Sequence, residues 1–177
     1  MLAVEDGKAL RVSKYGLDCK KYNETYTSVT WETCTLRSWL NSTFLESAFT
    51  SEEAARVVTT TVANPANATY GTSGGNATSD RVFLLSIDEV EKYIDGTRTD
   101  PDSDCYILDG LCAPTPYTVA QGAWQAGAAG PCYWLLRSPG YSADCAAYVG
   151  NYGTVKSYGK YVNLSGPAVR PAVWVNL

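Results

Sequence analysis

The chain has 177 residues, 45% of them hydrophobic and 18% charged, with a net charge of −4. That length and apolar content imply one globular domain with a real core and argue against disorder. An acidic chain with scattered Lys and Arg is a poor nucleic-acid binder, and no apolar run approaches the ~18 to 20 residues of a membrane span.

Histidine is absent. Its absence removes the commonest general base, the Ser-His and Cys-His nucleophile pairs, and most zinc ligand sets. The six cysteines, Cys19, Cys34, Cys105, Cys112, Cys132 and Cys145, include no CxxC pair. No metal and no cofactor is therefore expected. Disulfides are open to an even cysteine count outside a cell, with Cys105 and Cys112 closing a short loop. Small buried thiols in a reducing compartment are the competing reading.

Met1 to Asp6 lacks the basic, apolar, small-residue order of a signal peptide and reads as a strand already under way, as in a fragment or an expressed domain. Val4 to Ser13 has alternating apolar residues around Glu5-Asp6-Gly7, a hairpin pattern. Trp31 to Phe49 reads as the main helix. Leu36, Leu40 and Phe44 recur every four residues, Leu45, Ala48 and Phe49 extend the stripe, and Trp39 widens it. Asn41-Ser42-Thr43 is the weak spot, where short polar side chains compete with the helix backbone. Thr50 with Glu53 and Ser86 with Glu89 spell two capping boxes, each opening a short helix.

Arg56 to Val62 is β-branched and reads as a strand, Asn64 to Asp80 as a long polar loop, and Arg81 to Leu85 as a central strand. Asp100, Asp102 and Asp104 cluster in a polar turn without the spacing of a calcium-binding loop. Beyond Gly140 the period becomes two. Cys145, Ala147 and Val149 share one face and Ala146 and Tyr148 the other. Gly150 to Gly153 is a turn, Val155 and Val162 mark two further short strands, and Val169 to Val175 is the closing strand. The whole predicts an α+β chain: two main helices on a small antiparallel sheet with long loops.

Six of the thirteen tyrosines fall between Tyr133 and Tyr161, among Ser, Gly, Asn and Asp. Tyrosine offers large amphipathic contact area at low rotamer cost, and Ser, Gly and Asn supply adaptable hydrogen bonds, the composition of antibody binding loops. Tyrosine also favours strands, so ordinary sheet residues are the alternative. Clustering beside Gly and Asn turns favours a surface. Arg137 and Arg170, each in an apolar block close to a proline, read as scaffold that satisfies backbone carbonyls. Trp134 and Trp174 read as core beneath that surface.

Four blocks carry a family resemblance: Arg37-Ser38-Trp39-Leu40-Asn41 with Phe44 and Phe49; Val82-Phe83-Leu84-Leu85-Ser86 with Glu89 and Tyr93; Trp134 to Gly140; and Val169 to Leu177. Together they resemble bacterial and phage domains of the C-type lectin-like fold, and within that group a variable protein of a diversity-generating retroelement. In such systems a reverse transcriptase copies a template with errors at adenines. Asparagine codons then become codons for Tyr, Ser, Asp, Gly or Cys. The resemblance implies a single domain over 1–177, with a scaffold to 140, a variable ligand-binding region at about 141–164 and a closing strand over 165–177. Its variable positions would be Tyr141, Ser142, Asp144, Tyr148, Asn151, Tyr152, Ser157, Tyr158, Tyr161 and Asn163, and Cys145 fits the same origin. The implied partner is a protein or glycan on a cell surface, the implied location a virion or bacterial surface, and the implied role is not enzymatic.

Two other readings stay open. Formylglycine-generating enzymes resemble the same broad fold and use paired cysteines with copper. Cys132 and Cys145 are the nearby candidates here, in a context unlike that motif. A sugar-binding lectin is the other, although the Glu-Pro-Asn, Gln-Pro-Asp and Trp-Asn-Asp runs of its calcium-dependent members are missing. Five sequons begin at Asn23, Asn41, Asn67, Asn76 and Asn163.

Overall fold

A computed structural model describes residues 1–94 and 108–177 of the chain. The architecture is α+β, with three sheets and short helices. The Asp100, Asp102 and Asp104 cluster and Cys105 lie outside the described residues.

The hairpin forms as the alternation predicts. Strand β1 (Ala3–Glu5) pairs antiparallel with β2 (Lys8–Val12). Asp6 and Gly7 both take positive φ at the turn, 48° and 73°, the conformation a tight hairpin needs. The C-terminal strand β10 (Ala172–Asn176) joins β2 on its other side, so the two ends of the chain share one sheet.

Cys34, whose thiol accepts from the Arg37 N–H, caps α1 (Thr35–Trp39). A π segment (Leu40–Phe44) and α2 (Leu45–Ala48) continue the helical run. The wide turn sits on Asn41-Ser42-Thr43, the predicted weak spot. Leu36, Leu40, Phe44 and Leu45 are buried, whereas Ala48 is exposed and Trp31, placed in the helix by sequence, precedes it as a buried turn residue. Both capping boxes close, opening α3 (Ser51–Arg56) and α4 (Ile87–Tyr93). The strand expected over 56–62 shrinks to β4 (Thr60–Val62), because the Thr50 cap carries the helix through Arg56. Strand β5 (Thr78–Asp80) ends the expected loop and pairs with β4. The buried Asp80 carboxylate accepts from the Trp31 indole at 2.9 Å and the Arg37 Nε at 2.6 Å, tying β5 to the helix.

Residues 82–85 are buried as expected but form no strand, only a single bridge from Phe83 to Ala172. Phe83 exchanges backbone bonds with Ala172, the Leu85 carbonyl accepts from the Arg137 N–H, and side chains serve neighbouring groups. The Asn41 amide bonds the Arg81 N–H, the Val82 N–H and the Val82 carbonyl. The Arg137 guanidinium donates to the Leu84 carbonyl at 2.7 Å. A buried apolar run alone does not distinguish a ladder from this arrangement.

The third sheet has the order β3-β9-β6-β7-β8. Its strands are β3 (Asp18–Cys19), β6 (Trp134–Pro139), β7 (Cys145–Val149), β8 (Val155–Tyr161) and β9 (Ala168–Val169). β6 and β9 run parallel, and the other pairs antiparallel. Every residue of β6 and β7 is buried, so the period-two pattern does not separate an inner from an outer face. Val155 and Val162, read as marking two strands, belong to one strand and the residue just after it. The strand survives Gly159 because that glycine takes φ 79° beside a register shift against β7, as a bulge requires. The predicted closing strand instead breaks at Arg170-Pro171 into β9 and β10, which enter different sheets. Between β5 and β6 the described residues include α4, a 3-10 turn (Leu108–Gly110) and α5 (Pro116–Ala120), a helix whose N-terminus Thr115 caps.

The core gathers Trp31, Phe83, Leu84, Leu85, Trp134 and Leu136. Trp134 is fully buried, with its indole N–H on the Gly110 carbonyl. Trp174 is only half-buried, a correction: β10 lies in the outer three-stranded sheet, and Trp174 packs against the core from its margin.

Candidate functional site

Three chain segments converge on the end of the β7–β8 hairpin where Cys145 faces Tyr161. The first is 140–144. Gly140 is packed so closely that a Cβ would lie 2.5 Å from the Tyr158 carbonyl and 2.7 Å from the Cys145 Cβ. No larger residue fits there without moving β8. The second is 22–30, held by Val29 N–H to the Ala143 carbonyl and Asn23 N–H to the Val162 carbonyl. The third is 64–76. Its Asn67, 2% exposed, donates to the carbonyls of Pro139 and Ser157, and Thr72 donates to the Tyr141 carbonyl. The Asn67 sequon is thus a buried clamp, since its amide is fully engaged in this seam.

On this frame five tyrosines stand exposed: Tyr26, Tyr70, Tyr141, Tyr158 and Tyr161. Tyr26 meets Tyr161 edge to face at 5.2 Å, and Tyr70 meets Tyr141 at 6.5 Å. The Tyr26 hydroxyl donates to one Asp144 carboxylate oxygen at 2.6 Å, and the Ser142 hydroxyl to the other. The Ser142 and Tyr26 hydrogen bonds hold the Asp144 carboxyl below its ordinary range. The same bond to Asp144 raises Tyr26 to about 12. Hydroxyl donors to a carboxylate favour its charged form, so Asp144 is an anion at neutral pH.

A second aromatic group adjoins the first. Trp124 stacks on Tyr133 at 5.1 Å, Tyr133 meets Tyr148, and the Tyr148 and Tyr158 hydroxyls are 2.7 Å apart. The Lys160 ammonium lies 5.0 Å from the centroids of both Tyr133 and Tyr148. Between the groups is a shallow pocket of about 290 Å³ lined by Tyr141, Cys145, Tyr158, Lys160, Tyr161 and Leu164.

The ten predicted positions separate on inspection. Tyr141, Tyr158 and Tyr161 are exposed, and Ser142, Asp144 and Asn163 are half-buried around them. Tyr148 and Ser157 are buried, at 6% and 2% exposure, and are corrections to a wholly exposed set. Tyr148 lies under Tyr133, Tyr158 and Lys160, and Ser157 sits where Asn67 grips β8. Asn151 and Tyr152 are at the opposite hairpin end, beyond the Val149–Val155 pair, roughly 15 Å away at strand spacing. Tyr26, Tyr70, Trp124, Tyr133 and Lys160 were not among the predicted positions.

The thiols do not form a reactive pair at this site. The β6–β7 register, with Trp134 opposite Val149, puts Cys132 and Cys145 at opposite ends of the strand pair, about 20 Å apart. Cys132 lies instead against Cys112, and burial raises the Cys145 thiol. Among the described residues the cysteines are free, and no cluster of three or more His, Cys, Asp or Glu could hold a metal. What this face offers chemically is phenol edges and hydroxyls, one oriented carboxylate and a shallow pocket.

A family model described as Domain of unknown function (DUF6273) matches residues 6–177. No curated protein and no solved structure matches the chain. The family match begins at the first hairpin turn and runs through β10, covering the frame and the tyrosine-bearing face together, so the chain belongs to the DUF6273 family.

Proposed function

We propose that the chain is a ligand-binding protein that presents a diversified, tyrosine-rich face on a C-type lectin-like frame, as the product of a diversity-generating retroelement. The observation that carries it is the cluster of exposed Tyr26, Tyr70, Tyr141, Tyr158 and Tyr161 on backbone pinned by Asn67, Thr72 and the 22–30 segment. Binding faces need side chains that are large and adaptable on backbone that is not. The blocks on which the lectin-like resemblance rests also bond to one another: Asn41 to Val82, Arg137 to Glu89 and Leu84, and Phe83 to Ala172. A frame assembled from those blocks does not depend on the identity of residues at its rim.

Sequencing the natural gene across a population tests this. Substitutions are expected at Tyr141, Ser142, Asp144, Tyr158, Tyr161 and Asn163, with Trp134, Arg137, Arg170 and the buried Asn67 spared. Variation spread evenly along the chain would sink the diversified face.

A further inference from the structure

The face carries an anion with no countercharge. Segment 64–76 contains no charged residue, Asp144 is the one charged residue of 140–145, and 161–164 has none. In 22–30 the charged residue is Glu24, paired with Lys21 just outside. The nearest basic side chain on the pocket, Lys160, is engaged over the Tyr133 and Tyr148 rings. Among the described residues no ion pair includes Asp144. Three exposed phenol rings gather on this side of the face: Tyr26, bonded to the carboxylate; Tyr161, edge to face with Tyr26; and Tyr141, which lines the shallow pocket together with Tyr161.

We propose that Tyr26, Tyr141 and Tyr161 with Asp144 form an open aromatic cage that takes an alkylammonium group, the projecting lysine side chain of a protein partner. The inference rests on the binding-face reading above and names the ligand chemistry of this copy of the face. Ring faces are electron-rich and attract an ammonium within about 6 Å of the centroid. A carboxylate with its lone pairs turned by two hydroxyl donors adds a fixed negative end. The chain already seats one ammonium between two phenol rings, at Lys160, so the sheet end supports this geometry. Exposed Tyr70 and Tyr158 beside the cage give a protein surface further contact area, more than a lone headgroup needs.

The test is an amide-resonance titration of the intact chain with two acetylated, amidated pentapeptides, Gly-Gly-Lys-Gly-Gly and the same peptide bearing Nε-acetyl-lysine. The charged peptide is expected to shift residues of 22–30, 140–145 and 159–163. The neutral one should bind roughly fivefold or more weakly. Asp144→Asn keeps an acceptor for Tyr26 but removes the charge, and Tyr161→Leu keeps apolar area but removes the ring. Each should erase the difference between the peptides, with native circular dichroism confirming the fold. Equal shifts from both peptides, no shift from either, or unchanged selectivity in Asp144→Asn each overturns the cage. Choline tested against 3,3-dimethylbutan-1-ol covers the lipid-headgroup source. Selective choline binding without lysine-peptide binding overturns the protein partner. A population with evenly spread substitutions sinks the diversified face without touching this selectivity, and lost selectivity sinks the cage without touching the diversification.

Discussion

The Tyr26–Asp144 bond sets a pH window that is open to measurement. Asp144 is held below its ordinary value, first by Ser142 and then by Tyr26. A carboxyl lowered on folding contributes stability that is present above its unfolded value and lost as pH falls through the folded one. Tyr26 moves the other way, from 10.0 to about 12. A phenol raised on folding contributes stability fully present below its unfolded value and lost as pH rises through the folded one. The bond therefore holds from below the ordinary Asp range up to about pH 12. Carbon-13 shifts of the Tyr26 ring and the Asp144 carboxyl should report these two edges. Asp144→Asn should bring the Tyr26 midpoint back toward 10.0, since Asp144 is its largest cause. A Tyr26 midpoint that stays high in that variant contradicts the assigned bond. Because Tyr26 is exposed, the effect belongs to the face and not to global stability.

One amide explains why the long helix widens where it does. In the π segment (Leu40–Phe44), Asn41 bonds the Arg81 and Val82 N–H groups through Oδ1 and the Val82 and Arg37 carbonyls through Nδ2. It replaces a strand ladder for a segment buried at Val82 and beyond. Asn41→Ala removes the side-chain partner of the Arg81 and Val82 N–H groups and of the Val82 carbonyl, whereas the Arg37 carbonyl keeps the Leu40 N–H, and each buried orphan costs about 1 to 3 kcal/mol. The expected loss is about 3 kcal/mol in a urea titration with helical circular dichroism retained; a loss under about 0.5 kcal/mol contradicts the role. The hairpin and both capping boxes were legible in sequence because their partners lie within a few residues. The 82–85 segment was not, because its partners are Asn41, some forty residues upstream, and Arg137 and Ala172, more than fifty downstream. Burial was readable there and pairing was not. Likewise β9 and β10 read as one strand, since nothing local in Arg170-Pro171 announces that the halves enter different sheets.

At the scale of the molecule, frame and face are separable. The density of tyrosine in the C-terminal third is the part of the face that the sequence makes visible. Tyr26, 118 residues before Asp144, carried no such mark. Nor does a period of two reveal that β7 is buried along its whole length, Tyr148 with it, or that the buried face of β8 includes Ser157. Separability has an energetic consequence. Tyr141 and Tyr161 are 50% and 51% exposed, and exposed substitutions away from special features change stability by about 0.5 kcal/mol or less. The double variant Tyr141→Ser with Tyr161→Ser should therefore cost about 1 kcal/mol at most. Trp134 is fully buried and its indole N–H holds the Gly110 carbonyl. Trp134→Ala should cost about 4 kcal/mol from lost burial and the cavity left behind. Urea midpoints read both values, and an unchanged m-value in the double variant shows that the folded surface is otherwise intact. If the two tyrosines cost as much as the tryptophan, the face is part of the frame, and free diversification at those positions is physically excluded.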